Sequence, residues 1–179
     1  MSFTASTIDS MPIPTDLLLA KESVFNQTDL HLTALQKEAE SEEYNAYRFL
    51  LNDKNICYRE AKITPTKTGQ FVTLWKRNKT GTIEPFDYSD AIDFVIVSVR
   101  KDQNWGQFIF PKKILLEKGV FSTPNKEGIR ATRVYPPWDE TTSKQAQKTQ
   151  KWQLDYFISL TNSNKIDFDQ LRNSFIDFQ

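Results

Sequence analysis

The chain has one cysteine, Cys57, and one histidine, His31, among its 179 residues. A single cysteine excludes an internal disulfide and is typical of a reducing compartment, so we expect a cytoplasmic protein. One histidine without a cysteine cluster excludes the usual zinc sites. No apolar run approaches the roughly 20 residues of a membrane span, and no glycine-rich phosphate-binding loop occurs. We therefore expect no membrane association and no cofactor, unless a nuclease activity requires Mg²⁺.

Formal charge is balanced overall but unevenly distributed along the chain. Residues 1–53 carry three basic and nine acidic side chains, whereas residues 54–133 carry 15 basic and eight acidic ones. A basic centre of this kind weakly indicates an anionic partner. The alternative, which weighs about equally, is that the charges interleave on a solvated surface.

The hydrophobic patterns predict a flexible N-terminal segment over residues 1–14 and a single domain over residues 15–179. We expect one central, mostly antiparallel mixed sheet flanked by helices, which is an α+β fold. Helices are predicted from residue 15, over 28–51, directly after Pro111, over 143–160 and near the C-terminus. Strands are predicted over 55–63, 70–77, 92–99, 107–110 and 129–135, with a loop over 78–88.

The segment from Arg59 to Arg77 is rich in cations and ends with a tryptophan beside two of them. Cations and aromatic rings on strands suit a polyanion with stackable bases. Together with basic residues further along, they form a candidate nucleic-acid interface, with Tyr135 as a second ring that could stack. Its members are Lys62, Lys67, Trp75, Lys76, Arg77, Lys112, Lys113, Arg130 and Arg133.

Glu60 and Lys62 are two residues apart on the predicted strand 55–63, so their side chains should share a face. With Asp53 upstream, and Glu42 or Glu43 as a further carboxylate, they match the residue types and spacing of a Mg²⁺-dependent nuclease motif. The triplet is common on half-exposed strands, and a cross-strand ion pair is the favoured alternative.

Five segments together resemble the MepB family of bacterial proteins, some of which are associated with a multidrug-efflux operon. The segments are EEYNAYRFLLN, AKITPTKTGQFVTLWKR, FPKKIL, RVYPPWD and QAQKTQKWQLDYF, within about residues 40–160. The resemblance implies a fold like that of the PD-(D/E)XK (restriction-type) endonucleases, and nucleic-acid binding rather than catalysis. In the alignment that we favour, Lys76 takes the lysine place and Glu60 the first acid place. Leu74 then stands where a metal ligand belongs.

The sequence thus predicts a nucleic-acid-binding protein with a degenerate nuclease fold that prefers single strands or RNA. Its vestigial catalytic candidates are Glu43, Asp53, Glu60, Lys62 and Lys76. Two alternatives stay open: an active Mg²⁺-dependent nuclease using Asp53, Glu60 and Lys62, and a protein-interaction module of an efflux or stress-response system. The second alternative predicts an apolar patch near Trp138 or on the C-terminal helix.

Overall fold

The computed structural model describes residues 13–175. Of the predicted flexible segment 1–14, residues 1–12 lie outside the described residues. The helices are α1 (Thr15–Ser23), α2 (Lys112–Glu117), α3 (Lys144–Gln153) and α4 (Phe168–Ser174). The strands are β1 (Leu32–Lys37), β2 (Tyr47–Leu51), β3 (Lys54–Glu60), β4 (Lys62–Thr64), β5 (Lys67–Thr73), β6 (Trp75–Arg77), β7 (Ile83–Pro85), β8 (Phe94–Lys101), β9 (Asn104–Pro111), β10 (Ala131–Val134) and β11 (Phe157–Ser159).

A six-stranded sheet with the order β1-β2-β3-β8-β9-β11 forms the centre of the fold. β3 and β8 pair in parallel, and the other neighbours are antiparallel. The first pair is interrupted between Thr33 and Gln36, where the register shifts and Ala34 has a φ of 54°. The predicted α+β class with a mostly antiparallel mixed sheet is confirmed.

Two small sheets accompany the central one. The three-stranded sheet has the order β10-β5-β4, and the two-stranded sheet pairs β6 with β7. The polypeptide leaves the central sheet at Ala61, directly after β3, and enters the three-stranded sheet at Lys62. This change of sheet within two residues decides how the motif residues are placed.

The two faces of the central sheet carry separate apolar cores. On one face, α1 contributes Leu17 and Ala20 to the first core, α4 contributes Leu171, and Phe175 directly after α4 joins them. On the other face, α2 and the three-stranded sheet pack on β8 and β9. β8 is buried over its first six residues because β-branched and aromatic side chains fill both faces. The predicted buried central strand over 92–99 is therefore confirmed.

The predicted strands over 55–63 and 70–77 each divide between two sheets, at Ala61 and at Leu74. Three further predicted elements are wrong in type or extent. Residues 28–51 do not form a helix but contain β1 and β2, in which Tyr47, Phe49 and Leu51 are buried alternately. The predicted long helix over 143–160 ends at Gln153, and a 3₁₀ turn leads into β11. The predicted loop over 78–88 contains β7. In each case pairing with a neighbouring strand outweighs the local helix or loop preference.

None of the helices in the described part of the chain is both long and apolar enough to cross a bilayer.

Candidate nucleic-acid interface

Glu60 and Lys62 do not share a strand face, contrary to the prediction. Glu60 is the last residue of β3, where it pairs with Ser98 of β8 in the central sheet. Lys62 opens β4 and pairs with Phe71 in the three-stranded sheet. The two residues therefore do not form the strand motif that their spacing suggested.

Asp53 is far from Glu60. It lies in the exposed turn before β3, whereas Glu60 ends that strand. Six residues of β3 lie between them, which corresponds to a separation on the order of 20 Å. Glu43 lies exposed in a 3₁₀ turn that precedes β2. Between residues 13 and 175, no three carboxylate, histidine or cysteine side chains come together as a metal site would require. The predicted triad of Asp53, Glu60 and Lys62 does not converge.

Glu60 is held in a partly buried, hydrogen-bonded position. The Asn45 side-chain amide donates to Glu60 Oε2 over 2.9 Å. Burial raises the pKa of the Glu60 carboxyl to about 7, despite that hydrogen bond.

Lys76 is enclosed by carboxylates. Its Nζ lies 2.9 Å from Asp87 Oδ2, 2.8 Å from Asp90 Oδ2 and 3.7 Å from Glu84 Oε1. Burial opposes ionisation of Asp87, but hydrogen bonds from Lys76 and Ser89 outweigh it and lower the Asp87 pKa to about 2. The Lys76 ammonium thus occupies the space between these acids.

The second nuclease alignment also fails to assemble a site. Leu74 is buried in the second core and has no ligating atom. Lys76 pairs with Asp90. The segment that carries Asp90 lies beside the start of β3, because the Asp93 N–H donates to the Asn55 carbonyl. Glu60 is at the opposite end of that strand. Lys76 and Glu60 therefore do not face a common point.

Several predicted interface cations already have partners within the protein. Arg77 Nε donates to Glu40 over 2.7 Å, and its guanidinium covers the half-buried Trp75 ring at 5.3 Å. Arg130 pairs with Glu127 over 2.9 Å. Lys112 donates to the backbone carbonyls of Tyr88 and Asp90.

Lys67 and Lys113 are exposed, and neither has an ion-pair partner among residues 13–175. They lie apart, because β4 and β5 follow the end of β3, whereas α2 begins beside the start of β8. The nine predicted residues therefore do not form one continuous surface.

A compact set of aromatic and basic side chains does form on the three-stranded sheet. Strand pairing places Arg133, Phe71 and Lys62 in one row across β10, β5 and β4. The Arg133 guanidinium lies 5.8 Å from the Phe71 ring centre. Tyr44 is 6.1 Å from Phe71, and Lys62 Nζ lies 5.1 Å from the Tyr44 ring. The Tyr135 ring lies against Gly69 of β5, where an added Cβ would be 2.6 Å from Tyr135 Cε1. We call Tyr44, Lys62, Phe71, Arg133 and Tyr135 the Phe71 face.

Local sequence explains this face. In β5 the alternation of Gln70, Val72 and Leu74 with Phe71 and Thr73 sends the first set inward and leaves Phe71 half-buried. Arg133 is fixed by donation to Thr64 Oγ1 over 2.7 Å. Tyr44 and Phe71 were missed by sequence reasoning. Tyr44 falls within the helix predicted over 28–51, and the strand pairing that brings Phe71 between two cations is not visible in the local sequence.

For the interaction-module alternative, Trp138 and the exposed Ile63 line one groove. The Trp138 ring is half-buried and packs edge-on against Phe157 at 5.8 Å. The exposed large apolar side chains lie on separate segments: Leu19, Ile63, Tyr88, Ile129 and Leu154.

Comparison with known proteins identifies the family to which the chain belongs. A family model described as MepB-like matches residues 38–159. The chain belongs to the MepB-like family. A solved structure described as the crystal structure of MepB is 32% identical, with a TM-score of 0.73, over 83% of this chain and 97% of that chain. No curated protein sequence gives a significant match. The resemblance inferred from the sequence motifs is confirmed, and the MepB structure agrees with the α+β fold.

Proposed function

We propose that this MepB-like protein binds single-stranded nucleic acid, RNA or DNA, on the Phe71 face. The observation that carries the proposal is the row Arg133–Phe71–Lys62, with Tyr44 beside it. Cations next to exposed aromatic edges can follow a phosphate backbone while bases stack on the rings. Lys67, exposed at the start of β5, extends the same surface with a further cation.

Single strands fit this face better than a duplex. The rings of Tyr44, Phe71 and Tyr135 are half-buried in a sheet surface and do not project as a helix would into a groove. Stacking on such rings requires bases that are free of a paired strand. The proposed ligand is therefore an unpaired stretch of a few nucleotides.

We infer binding without cleavage. Asp53 and Glu60 are at opposite ends of β3, and Lys76 is bonded to Asp87 and Asp90. Asp53, Glu60 and Lys76 therefore do not converge on one Mg²⁺ ion, and no group of three or more potential metal ligands occurs among residues 13–175. The Mg²⁺-dependent nuclease using Asp53, Glu60 and Lys62 is accordingly not proposed.

The test is a fluorescence-anisotropy titration with a labelled single-stranded RNA, the matching DNA and the matching duplex. Wild type should bind the single strands more tightly than the duplex. Phe71→Leu keeps apolar bulk but removes the stacking ring, and should weaken binding roughly 5- to 150-fold. Lys62→Glu should weaken binding and reduce its dependence on salt concentration.

Lys113→Glu is the matched control, because it makes the same charge change at an exposed lysine outside the Phe71 face. It should leave the affinity nearly unchanged. Equal losses for Lys62→Glu and Lys113→Glu would indicate a diffuse electrostatic effect instead of this face. Absence of single-strand binding by the wild type would refute the proposed function.

A further inference from the structure

A groove adjoins the Phe71 face at the turn between β4 and β5. It has a volume of about 540 Å³ and is lined by residues 63–69, by Lys101 of β8 and by Trp138, Asp139 and Glu140. This volume is within the range of small-ligand sites. The groove and the face share the β4–β5 turn, because Arg133 donates to Thr64 Oγ1 and to the Thr68 and Gly69 carbonyls.

Asp139 is the unusual residue of this groove. Its side chain is only 8% exposed, and its ion-pair partner among residues 13–175 is Lys101, whose Nζ is 3.7 Å from Oδ1. Burial raises the pKa of the Asp139 carboxyl, and Lys101 only partly opposes that effect. A buried carboxylate normally accepts several hydrogen bonds. Asp139 therefore has acceptor capacity that the described residues leave unused.

The backbone holds Asp139 in place. Its N–H donates to the Pro136 carbonyl over 3.0 Å. Its own carbonyl accepts from Gln150 Nε2, also over 3.0 Å, and the same amide bonds the Pro136 carbonyl. Asp139, which lines the groove, is thus carried by a fixed loop, which is the arrangement that recognition requires.

We propose that this groove binds a guanine base of the single strand that the Phe71 face holds; the inference rests on the proposed function. Among the common bases, only guanine has two adjacent donors, N1–H and the 2-amino group, on its pairing edge. A carboxylate accepts both, since its two oxygens act together. The neighbouring guanine O6 is an acceptor and suits the Lys101 ammonium. Adenine has an amino group at that position, which is a hydrogen-bond donor and cannot accept from the Lys101 ammonium.

The test compares a uracil hexamer with hexamers in which one uracil is replaced by guanine, adenine or inosine. Wild type should bind the guanine oligomer roughly 5- to 150-fold more tightly than the uracil oligomer, the discrimination of one bidentate base contact. Inosine lacks the 2-amino group and should recover only part of that preference. Adenine should recover none of it.

Asp139→Asn should abolish the guanine preference, because an amide offers one oxygen and places donors against donors. Its affinity for the uracil hexamer should remain. Asp155→Asn is the matched control, because Asp155 is exposed in the 3₁₀ turn Leu154–Tyr156 and does not line the groove; it should keep the preference. Thermal unfolding of both variants checks that they are folded.

The outcomes separate the two proposals. Binding of all hexamers with equal affinity overturns the guanine site and leaves the Phe71 face intact. A preference that survives in Asp139→Asn, or an inosine oligomer that equals guanine, also overturns it. Failure to bind any hexamer refutes the proposed function and the guanine site together.

Discussion

Arg59 Nη2 lies 2.6 Å from Glu38 Oε2, and the Arg59 side chain is fully buried. Arg59 also donates from Nε to the Thr73 carbonyl and from Nη1 to the Tyr58 carbonyl. Glu38 additionally pairs with Arg48, which is partly exposed. One carboxylate therefore balances a buried guanidinium between the central sheet and β5.

Glu38→Gln should lower the free energy of unfolding by about 3 kcal/mol, because it leaves the buried Arg59 charge without a counter-ion. Urea denaturation at neutral pH measures the change. Glu42→Gln is the control, since the Lys37–Glu42 pair is exposed on both sides and should add no measurable stability. Equal effects of the two variants would show that Arg59 does not depend on Glu38.

Glu60 should give the protein a distinctive dependence on pH. Its folded pKa of about 7 is above its ordinary value of 4.5, so the unfolded chain releases this proton at lower pH than the folded protein does. The Glu60 contribution is therefore complete at low pH and is lost as pH rises from about 4.5 to about 7.

Glu60→Gln removes this titration and keeps a side chain that can accept from Asn45. Relative to wild type, the variant should gain stability as pH rises from about 4.5 to about 7, with a constant difference on either side of that range. Urea midpoints at several pH values, compared between the two proteins, measure this. A difference that does not vary with pH would show that the Glu60 pKa is ordinary.

Gly69 should be intolerant of any side chain. Its φ is +82°, and a Cβ there would lie 2.6 Å from Tyr135 Cε1. Gly69→Ala should therefore displace the Tyr135 ring and cost about 1–3 kcal/mol beyond the backbone strain. Gly81→Ala is the control, because Gly81 has a φ of +84° but nothing within 4 Å of such a Cβ. The difference between the two urea midpoints isolates the contact; if they coincide, Tyr135 does not depend on Gly69.

The fold was predictable where one pattern dominates. β8 is apolar at residues 94–97 and at Val99, and a short β-branched run of this kind is typical of a buried strand. The sequence predicts a helix around β2, because Phe49, Leu50 and Leu51 are consecutive and fit the hydrophobic spacing of a helix and of a strand equally well. The neighbour that decides between them is β3, and pairing with it cannot be read from the segment alone.

The site was less predictable than the fold. The spacing of Glu60 and Lys62 is correct for one strand face, but the chain changes sheets at Ala61. The sequence around Lys76 predicts a phosphate ligand. The three carboxylates that pair with Lys76 lie on a later segment, so this pairing cannot be read from the local sequence. The Phe71 face depends on the pairing of three strands. The sequence predicts Lys62 and Arg133 as interface residues from their charge, but it does not show that the Phe71 ring lies between them.

The interrupted pairing of β1 has a consequence for behaviour at high concentration. β1 and the three-residue β11 are the two outer strands of the central sheet. A straight outer strand offers unpaired backbone groups to any other chain and promotes edge-to-edge aggregation. The irregularity at Ala34 bends one border, and the shortness of β11 limits the other. The borders of the sheet are thus poor templates for intermolecular strand addition, which favours a protein that stays dispersed.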